Sequence, residues 1–437
     1  MPQYKKPMSN EEFNLNFAQI KPLMSDTEAY YESSRCLYCY DAPCITACPT
    51  GIDIPLFIRQ INSKNEQGAA KTIYDSNIFG YACGKVCPTE VLCEGACVYN
   101  HSDVKPIEIG RLQSYATKKS IDSGKKHFNF KAPIGKKVAI IGAGPAGISC
   151  GAELSLHGVS VDIFEAREKP SGLTVYGVAP YKITNEEVLS EMEYLEAQYG
   201  FKIHYNKFIN TRSEIEELQN AYDAIFLGIG LWRSSELGIP GEELDQVTGA
   251  VEFIEDLRMQ KHQTQIGGKV IVLGGGNTAM DAASESCRMG AADVVIAYRR
   301  SHEEMGAYAF EYELAKAAGI RSLFNVMPVE IIGSTSVSAV RFVRTKVEDG
   351  KVTVIDGTEF TEPCDWVIKA TGQSRQEDLL DMIGIGRSKS GNILVDGEYR
   401  TSHHKYFAAG DAVSGGQEVV NAVAEGKKAA KAILKNI

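Results

Sequence analysis

The stretch KKVAIIGAGPAGISCGAELSLHG, residues 136–158, decides the fold. A β-branched run from Val138 to Ile141 meets the turn Gly142-Ala-Gly144-Pro-Ala-Gly147 and passes into a helical pattern. A second strand follows at VDIFEA, residues 161–166. Strand, glycine turn, helix and strand make the βαβ unit of a parallel sheet with helices on its faces. A G-x-G-x-x-G pattern alone says little; its place between a strand and a helix gives it meaning. Glycines let the backbone turn tightly and approach a pyrophosphate, whose charge then sits at the positive end of the helix. Glu165 closes the second strand 18 residues beyond Gly147. An acid about 20 residues on accepts hydrogen bonds from a ribose. The competing reading is a plain glycine-rich turn with a solvated Glu.

Working outward, a second unit of the same kind runs GKVIVLGGGNTAMDAASESCRMG (268–290) and continues to DVVIAYRR (293–300). Its loop is Gly274-Gly-Gly276-Asn277-Thr-Ala279, with Ala in the last position, an allowed variant. The strand after it ends in Arg299-Arg300 instead of an acid. An acid there repels a 2′-phosphate and Arg binds it, so this site is expected to take NADP(H) in preference to NAD(H). A solvated strand end is the bland alternative, since surface Arg is common.

The 437 residues suggest about three domains; with 44% hydrophobic and 23% charged residues the chain reads as globular. A net charge of −10 argues against nucleic acid as a partner. No apolar run approaches the roughly 18 residues of a membrane span, and no signal-peptide core opens the chain. A cytoplasmic protein without membrane attachment is therefore expected. In that compartment, clustered cysteines read as metal or redox groups more readily than as disulfides.

Eight of the eleven cysteines fall between Cys36 and Cys97. The first run is Cys36-x2-Cys39-x4-Cys44-x3-Cys48-Pro; the second is Cys83-x3-Cys87-Pro-x4-Cys93-x3-Cys97. The first is close to the bacterial ferredoxin pattern, with x4 where that has x2. In two-cluster ferredoxins the last Cys of the run ligates the other cluster. The spacing thus predicts that Cys36, Cys39 and Cys44 pair with a distant fourth ligand and that Cys48 crosses over. Zinc is the runner-up, since four-cysteine zinc sites also use C-x2-C. Free core cysteines do not explain so dense a group. The surrounding segment looks helical, as in IPLFIRQI (54–61), and SGKKHFNFKAPIGKK (123–137) reads as a linker.

Near the C-terminus a strand from Tyr406 to Ala409 runs into Gly410-Asp411, a glycine turn and a helix. Together with the first glycine loop, this resembles the two-dinucleotide-binding-domain flavoproteins. The resemblance implies that Gly410 and Asp411 bind the ribityl and phosphate region of FAD. Tyr222 to Gly230 and Val367 to Gly372 resemble the two crossings between FAD and nucleotide domains. The expected architecture is an all-α iron–sulfur domain followed by an α/β flavoprotein with Rossmann-like FAD and NAD(P) domains. Its ranges are 1–130 for the helical domain, 131–240 and 366–437 for the two parts of the FAD domain, and 241–365 for the inserted NAD(P)H domain.

CGKVCPTEVLCEGACVYN followed by PIEIGRLQSYA resembles the FAD and iron–sulfur part of dihydropyrimidine dehydrogenase, a separate subunit in bacteria; the glutamate synthase small subunit is similar. The resemblance implies one [4Fe–4S] cluster on Cys36, Cys39, Cys44 and Cys97. It implies a second on Cys48, Cys87, Cys93 and Gln113, with Cys83 left as a packed thiol. The chain departs from the family at Ser171-Gly172, where Gly-Gly is usual, and at Met305-Gly306-Ala307, where Met-Pro-Ala is usual. No C-x-x-C follows the FAD loop, so disulfide reduction is not expected. No catalytic side chain is marked.

A nicotinamide gives two electrons and an iron–sulfur cluster takes one, so FAD belongs between them. With no domain left for an organic substrate, the chain is expected to pass electrons to a partner. The resemblance implies an FMN-containing catalytic subunit that reduces uracil or thymine, in a hetero-oligomer. A glutamate synthase small subunit, an electron-bifurcating relative and a non-enzymatic protein with degenerate sites are the alternatives.

Overall fold

The computed structural model describes residues 4–437. The region before residue 137 is helical throughout its regular structure, with helices Asp26–Ser34, Ile54–Asn62, Glu66–Ser76, Gly80–Val86 and Ile109–Ser123. Local chemistry starts them. Ser25 and Glu28 form a capping box, Asp53 accepts from the Leu56 N–H, and Asn65 accepts from the Gly68 N–H. In Ile54–Asn62 the apolar residues Ile54, Phe57, Ile58 and Ile61 recur at helical spacing and are all buried. They share a core with Leu112, Tyr115 and Ala116, and the cysteines pack against its edge.

The first glycine unit opens a sheet with β1 (Lys137–Ile141), β2 (Ser160–Phe164), β3 (Lys202–His204) and β4 (Ala224–Leu227). The chain then leaves this sheet for β5 (Val247–Gly249), β6 (Lys269–Leu273), β7 (Asp293–Tyr298) and β8 (Arg321–Phe324). Next come β9 (Val326–Gly333), β10 (Val337–Glu348), β11 (Lys351–Val354), β12 (Phe360–Pro363) and β13 (Trp366–Lys369). It returns with β14 (Tyr406–Ala408) and the helix Val419–Asn436.

The first sheet has the order β14-β4-β1-β2-β3, all parallel. The second has the order β5-β13-β6-β7-β8, also parallel. In each, the strand before the glycine loop starts the winding and the order reverses beside it. That reversal is where doubly wound sheets bind ligands, beyond the carboxyl ends of the strands. Strands β9 to β12 form a separate antiparallel sheet.

The chain divides into two compact units. One holds residues 20–175, 182–231 and 375–437, so the helical segment and both FAD segments form a single body. The other holds residues 232–374 together with 176–181 and 4–19. Two boundaries thus differ from the sequence expectation. The insertion is wider than 241–365, because its two connections pair: Trp232 N–H donates to Ser374 O and Ser374 N–H to Arg233 O, both at 2.8 Å. The N-terminus does not belong with the helical segment. Phe13 and Phe17 stack on each other and are buried in the core that contains Ile254, Val270 and Met289. A seven-residue helix with only two large apolar side chains gave no sequence signal for which core it joins. No helix among the described residues is long and apolar enough to cross a membrane.

Candidate cofactor sites

The first glycine loop sits at the carboxyl end of β1. Gly142 has φ +101, and a Cβ there would run into the carbonyl oxygen of Gly228, just past β4. A Cβ on Gly147 would strike Gly142 O. Gly144 has no atom closer than 3.9 Å to such a position, so the loop is closed on its protein side and open on the other. That is the cradle a pyrophosphate needs. Glu165 is buried and ties the loop together: Ala143 and Arg167 N–H groups donate to its two carboxylate oxygens, each at 2.8 Å. Burial raises its pKa against these hydrogen bonds. A carboxylate has about four acceptor sites, so capacity remains for a ribose.

Gly410 and Asp411 come to the same place. A Cβ on Gly410 would lie 3.0 Å from Ala146 Cβ, in the helix that the first loop opens. The helix Val419–Asn436 packs on that helix, and Ser149 Oγ donates to Val423 O at 2.7 Å. Gly410 N–H donates to Glu425, and Asp411 accepts from Gln417 N–H at 3.0 Å. Burial pushes the Asp411 carboxyl up to about 6. The departure at Ser171 is accommodated by the backbone. Ser171 takes φ +80, a glycine-like conformation, and its N–H donates to Ala143 O at 2.7 Å.

The second glycine loop repeats the design. A Cβ on Gly274 would meet Ala370 O, just past β13, whereas Gly276 faces open space. Asn277 accepts from Tyr308 N–H at 2.9 Å and Gly275 O accepts from Ala307 N–H at 2.9 Å. The glycine loop thus holds the departing Met305-Gly306-Ala307 segment through Ala307, and Asn277 holds Tyr308 just after it. Ala279 is fully buried in the helix that follows. Arg299 is exposed and Arg300 half-buried; their carbonyls are bonded to Thr345 and Asn325. Among the described residues neither guanidinium has a hydrogen-bond or ion-pair partner.

The cysteines sort into two groups. Cys36, Cys39, Cys44 and Cys97 line one cavity whose other walls are apolar apart from Tyr99. Burial pushes the Cys44 thiol up to about 12, and Cys36 and Cys97 add to the rise. Cys48, Cys87 and Cys93 form the other group. Cys87 is raised by a hydrogen bond with Cys83, by burial and by Cys93 and Cys48; Cys93 is raised first by burial. Cys93 also feels Cys44, so the groups adjoin. Such thiols keep their protons until a cation replaces them. Four cysteines around one cavity are a ligand set that a [4Fe–4S] cluster can use. Gln113 is buried, and its amide nitrogen donates to Gly80 O at 2.7 Å, which leaves its oxygen as the free acceptor. Thr50, which the sequence reading passed over, lies 3.2 Å from Cys48 Sγ by its hydroxyl. The Cys-Pro-Thr run was its only signal.

Two dinucleotide folds, one interrupted by the other, are the construction of an oxidoreductase that moves electrons between a nicotinamide and FAD. The cysteine cavity adds iron–sulfur chemistry to it. Residues 136–426 match the family described as pyridine nucleotide-disulphide oxidoreductase, and residues 13–125 match dihydropyrimidine dehydrogenase domain II, 4Fe-4S cluster. The chain belongs to the pyridine nucleotide-disulphide oxidoreductase family, with an iron–sulfur domain of the dihydropyrimidine dehydrogenase type. The NADPH glutamate synthase small chain of Escherichia coli K12 is 32% identical over 454 residues, covering 98% of this chain and 95% of that protein. The NAD-dependent dihydropyrimidine dehydrogenase subunit PreT of the same organism is 33% identical over 415 residues, covering 95% and 96%. Mycobacterium tuberculosis FprA in complex with NADPH shares the fold, with TM-score 0.59 and 20% identity over 69% of this chain and 84% of that one. The chain is thus an NAD(P)H-dependent FAD and iron–sulfur oxidoreductase, of the kind represented by these two subunits.

Proposed function

We propose that this chain is the electron-input subunit of a larger oxidoreductase. On this reading it carries two [4Fe–4S] clusters, one on Cys36, Cys39, Cys44 and Cys97 and one on Cys48, Cys87, Cys93 and Gln113. The observation that carries the proposal is the division of the cysteines into two adjoining groups with the membership that the ferredoxin-like crossover requires.

A flavin supplies the change from two-electron to one-electron transfer that a nicotinamide and a cluster cannot make between them. The residues around each site do the rest. Gly142, Gly144, Gly147, Glu165, Gly410 and Asp411 hold FAD by its pyrophosphate and ribose. Gly274, Gly276, Asn277 and Ala279 hold the nicotinamide dinucleotide. Arg299 and Arg300 favour NADP(H) by offering charge to a 2′-phosphate. The two relatives differ in the nucleotide that their names carry, so the arginine pair is the better guide. The helix Gly80–Val86, which leads into Cys87, packs on the FAD-side helices Asn185–Tyr199 and Val419–Asn436. Electrons therefore enter at the second cluster. Leu37, a wall of the first cavity, is 59% exposed, which makes the first cluster the exit.

The acceptor is an FMN-containing partner that reduces uracil or thymine. A glutamate synthase large subunit is the second reading, favoured by the full-length match to the NADPH small chain. Iron and acid-labile sulfide analysis after anaerobic reconstitution tests the cluster content. About eight irons with equal sulfide per chain are expected; zinc without labile sulfide overturns the proposal.

A further inference from the structure

The turn after Cys48 brings a hydroxyl to its sulfur. Gly51 N–H donates to Cys48 O at 2.9 Å and closes the turn Cys48-Pro49-Thr50-Gly51. Pro in the second position and Gly in the fourth are the residues such a turn favours. Thr50, in the third, is thereby held with Oγ1 3.2 Å from Cys48 Sγ. Between two protonated groups either atom could donate. Once Cys48 is a thiolate on iron, only the hydroxyl has a proton to give.

A second contact has the same logic. Cys83 lies one helical turn before Cys87, whose N–H donates to Cys83 O at 3.0 Å. Residues so spaced share a helix face, and Cys83 is the first of the groups that raise the Cys87 thiol. Cys83 is fully buried, and with Cys87 on iron it becomes the donor. Among the described residues no side-chain hydroxyl hydrogen-bonds to a sulfur of the first group. In each group a backbone N–H holds a thiol down against burial, that of Tyr38 at Cys36, of Ile45 at Cys44 and of Glu94 at Cys93. The one polar side chain of the first cavity, Tyr99, donates elsewhere, to Arg35 O at 2.7 Å.

We propose that Thr50 and Cys83 are potential-setting residues, holding the second cluster above the first in reduction potential by donating hydrogen bonds to two of its ligand sulfurs. One-electron reduction places extra negative charge on the sulfurs, so donors at those atoms stabilise the reduced state more than the oxidised one. The consequence is kinetic order. The cluster beside the FAD segments fills first and holds its electron until a second arrives. The proposal rests on the two-cluster reading above.

The test uses the reconstituted holoprotein and EPR-monitored redox titration. Thr50→Val removes the hydroxyl at constant shape, Thr50→Ser keeps it, and Cys83→Ala removes the thiol. The expected result is a lower midpoint for one cluster signal in Thr50→Val and in Cys83→Ala, the same signal in both. The size is on the order of a tenfold change in the reduced-to-oxidised ratio at fixed potential, about 59 mV for one electron. Thr50→Ser retains the wild-type midpoint, and the other cluster does not move. Unchanged midpoints in both variants, shifts on different signals, or a Thr50→Ser protein that behaves like Thr50→Val overturn the proposal. Loss of iron from Cys83→Ala does so as well, since Cys83 is then a ligand. A wild-type protein with a single cluster signal overturns the two-cluster reading itself, before any variant is compared.

Discussion

Arg299 and Arg300 are the sharpest test at the scale of single residues. Each can make a charge-assisted hydrogen bond to a 2′-phosphate, worth about 1.5–3 kcal/mol. Replacing both by neutral residues should raise the KM for NADPH by roughly tenfold per lost bond and change the KM for NADH little. Steady-state kinetics with a dye acceptor measures both, and a wild-type preference for NADH refutes the assignment. Gln113 is the second test. Its nitrogen is committed to Gly80 O, so its oxygen is the end that can meet iron. Gln113→Ala should change or abolish one cluster's EPR signal and leave FAD bound, while Cys83→Ser should leave cluster content unaltered. The reverse pattern overturns the ligand set. The glycines were legible in the sequence because their physics is local: a turn followed by a helix can be read from the chain itself. Thr50 and Glu191 were not, because their roles depend on partners that only folding brings near.

Glu191 acts at the scale of elements. It lies on the helix Asn185–Tyr199 and accepts the N–H groups of Tyr81 and Ala82, at 2.7 and 2.9 Å, at the start of the helix Gly80–Val86. One carboxylate thus fastens a helix of the iron–sulfur segment to a helix of the FAD segment. Nearby, Glu187 accepts from Tyr81 Oη and pairs with buried Lys85 at 3.5 Å. Burial outweighs the two accepted bonds and pushes the Glu191 carboxyl up to about 8. The unfolded carboxyl ionises near about 4.3. A group raised on folding contributes stability below its unfolded pKa and loses it as pH rises through the folded value. The protein should therefore lose stability between about pH 4.5 and 8. Glu191→Gln removes that slope at the cost of one accepted hydrogen bond, about 1 kcal/mol. Thermal midpoints of the two proteins should lie closest near pH 5 and diverge toward pH 8, where Glu191→Gln is the more stable; parallel curves would show that Glu191 does not titrate. The sequence presented Glu191 as one more polar residue in an amphipathic helix, since a helical pattern does not say which acid will be buried by a helix some 110 residues away.

At the scale of the whole molecule, the proposed role is to collect electrons for a partner to spend. Both parallel sheets were readable from strand–glycine–helix patterns, and so was the helical character of the cysteine segment. The antiparallel sheet β9 to β12 and the placement of Phe13 and Phe17 were not, because each depends on long-range packing that local patterning does not encode. Two sites for dinucleotides and a set of cluster ligands are the sites proposed for the chain. Alone, the protein should reduce artificial dyes with NAD(P)H, since that reaction needs only the two glycine-loop sites. It should not reduce uracil or thymine at a measurable rate. Adding an FMN-containing partner should restore pyrimidine reduction. Removing a cluster through Cys36→Ala should abolish the coupled reaction and spare much of the dye activity, because the ligand lies in the helical segment and not at either nucleotide site. Pyrimidine turnover by the isolated chain would end the electron-delivery reading. Coupling only to a glutamate synthase large subunit would replace the acceptor and leave the electron path intact, since nothing in the path from nucleotide to cluster depends on what receives the electrons last.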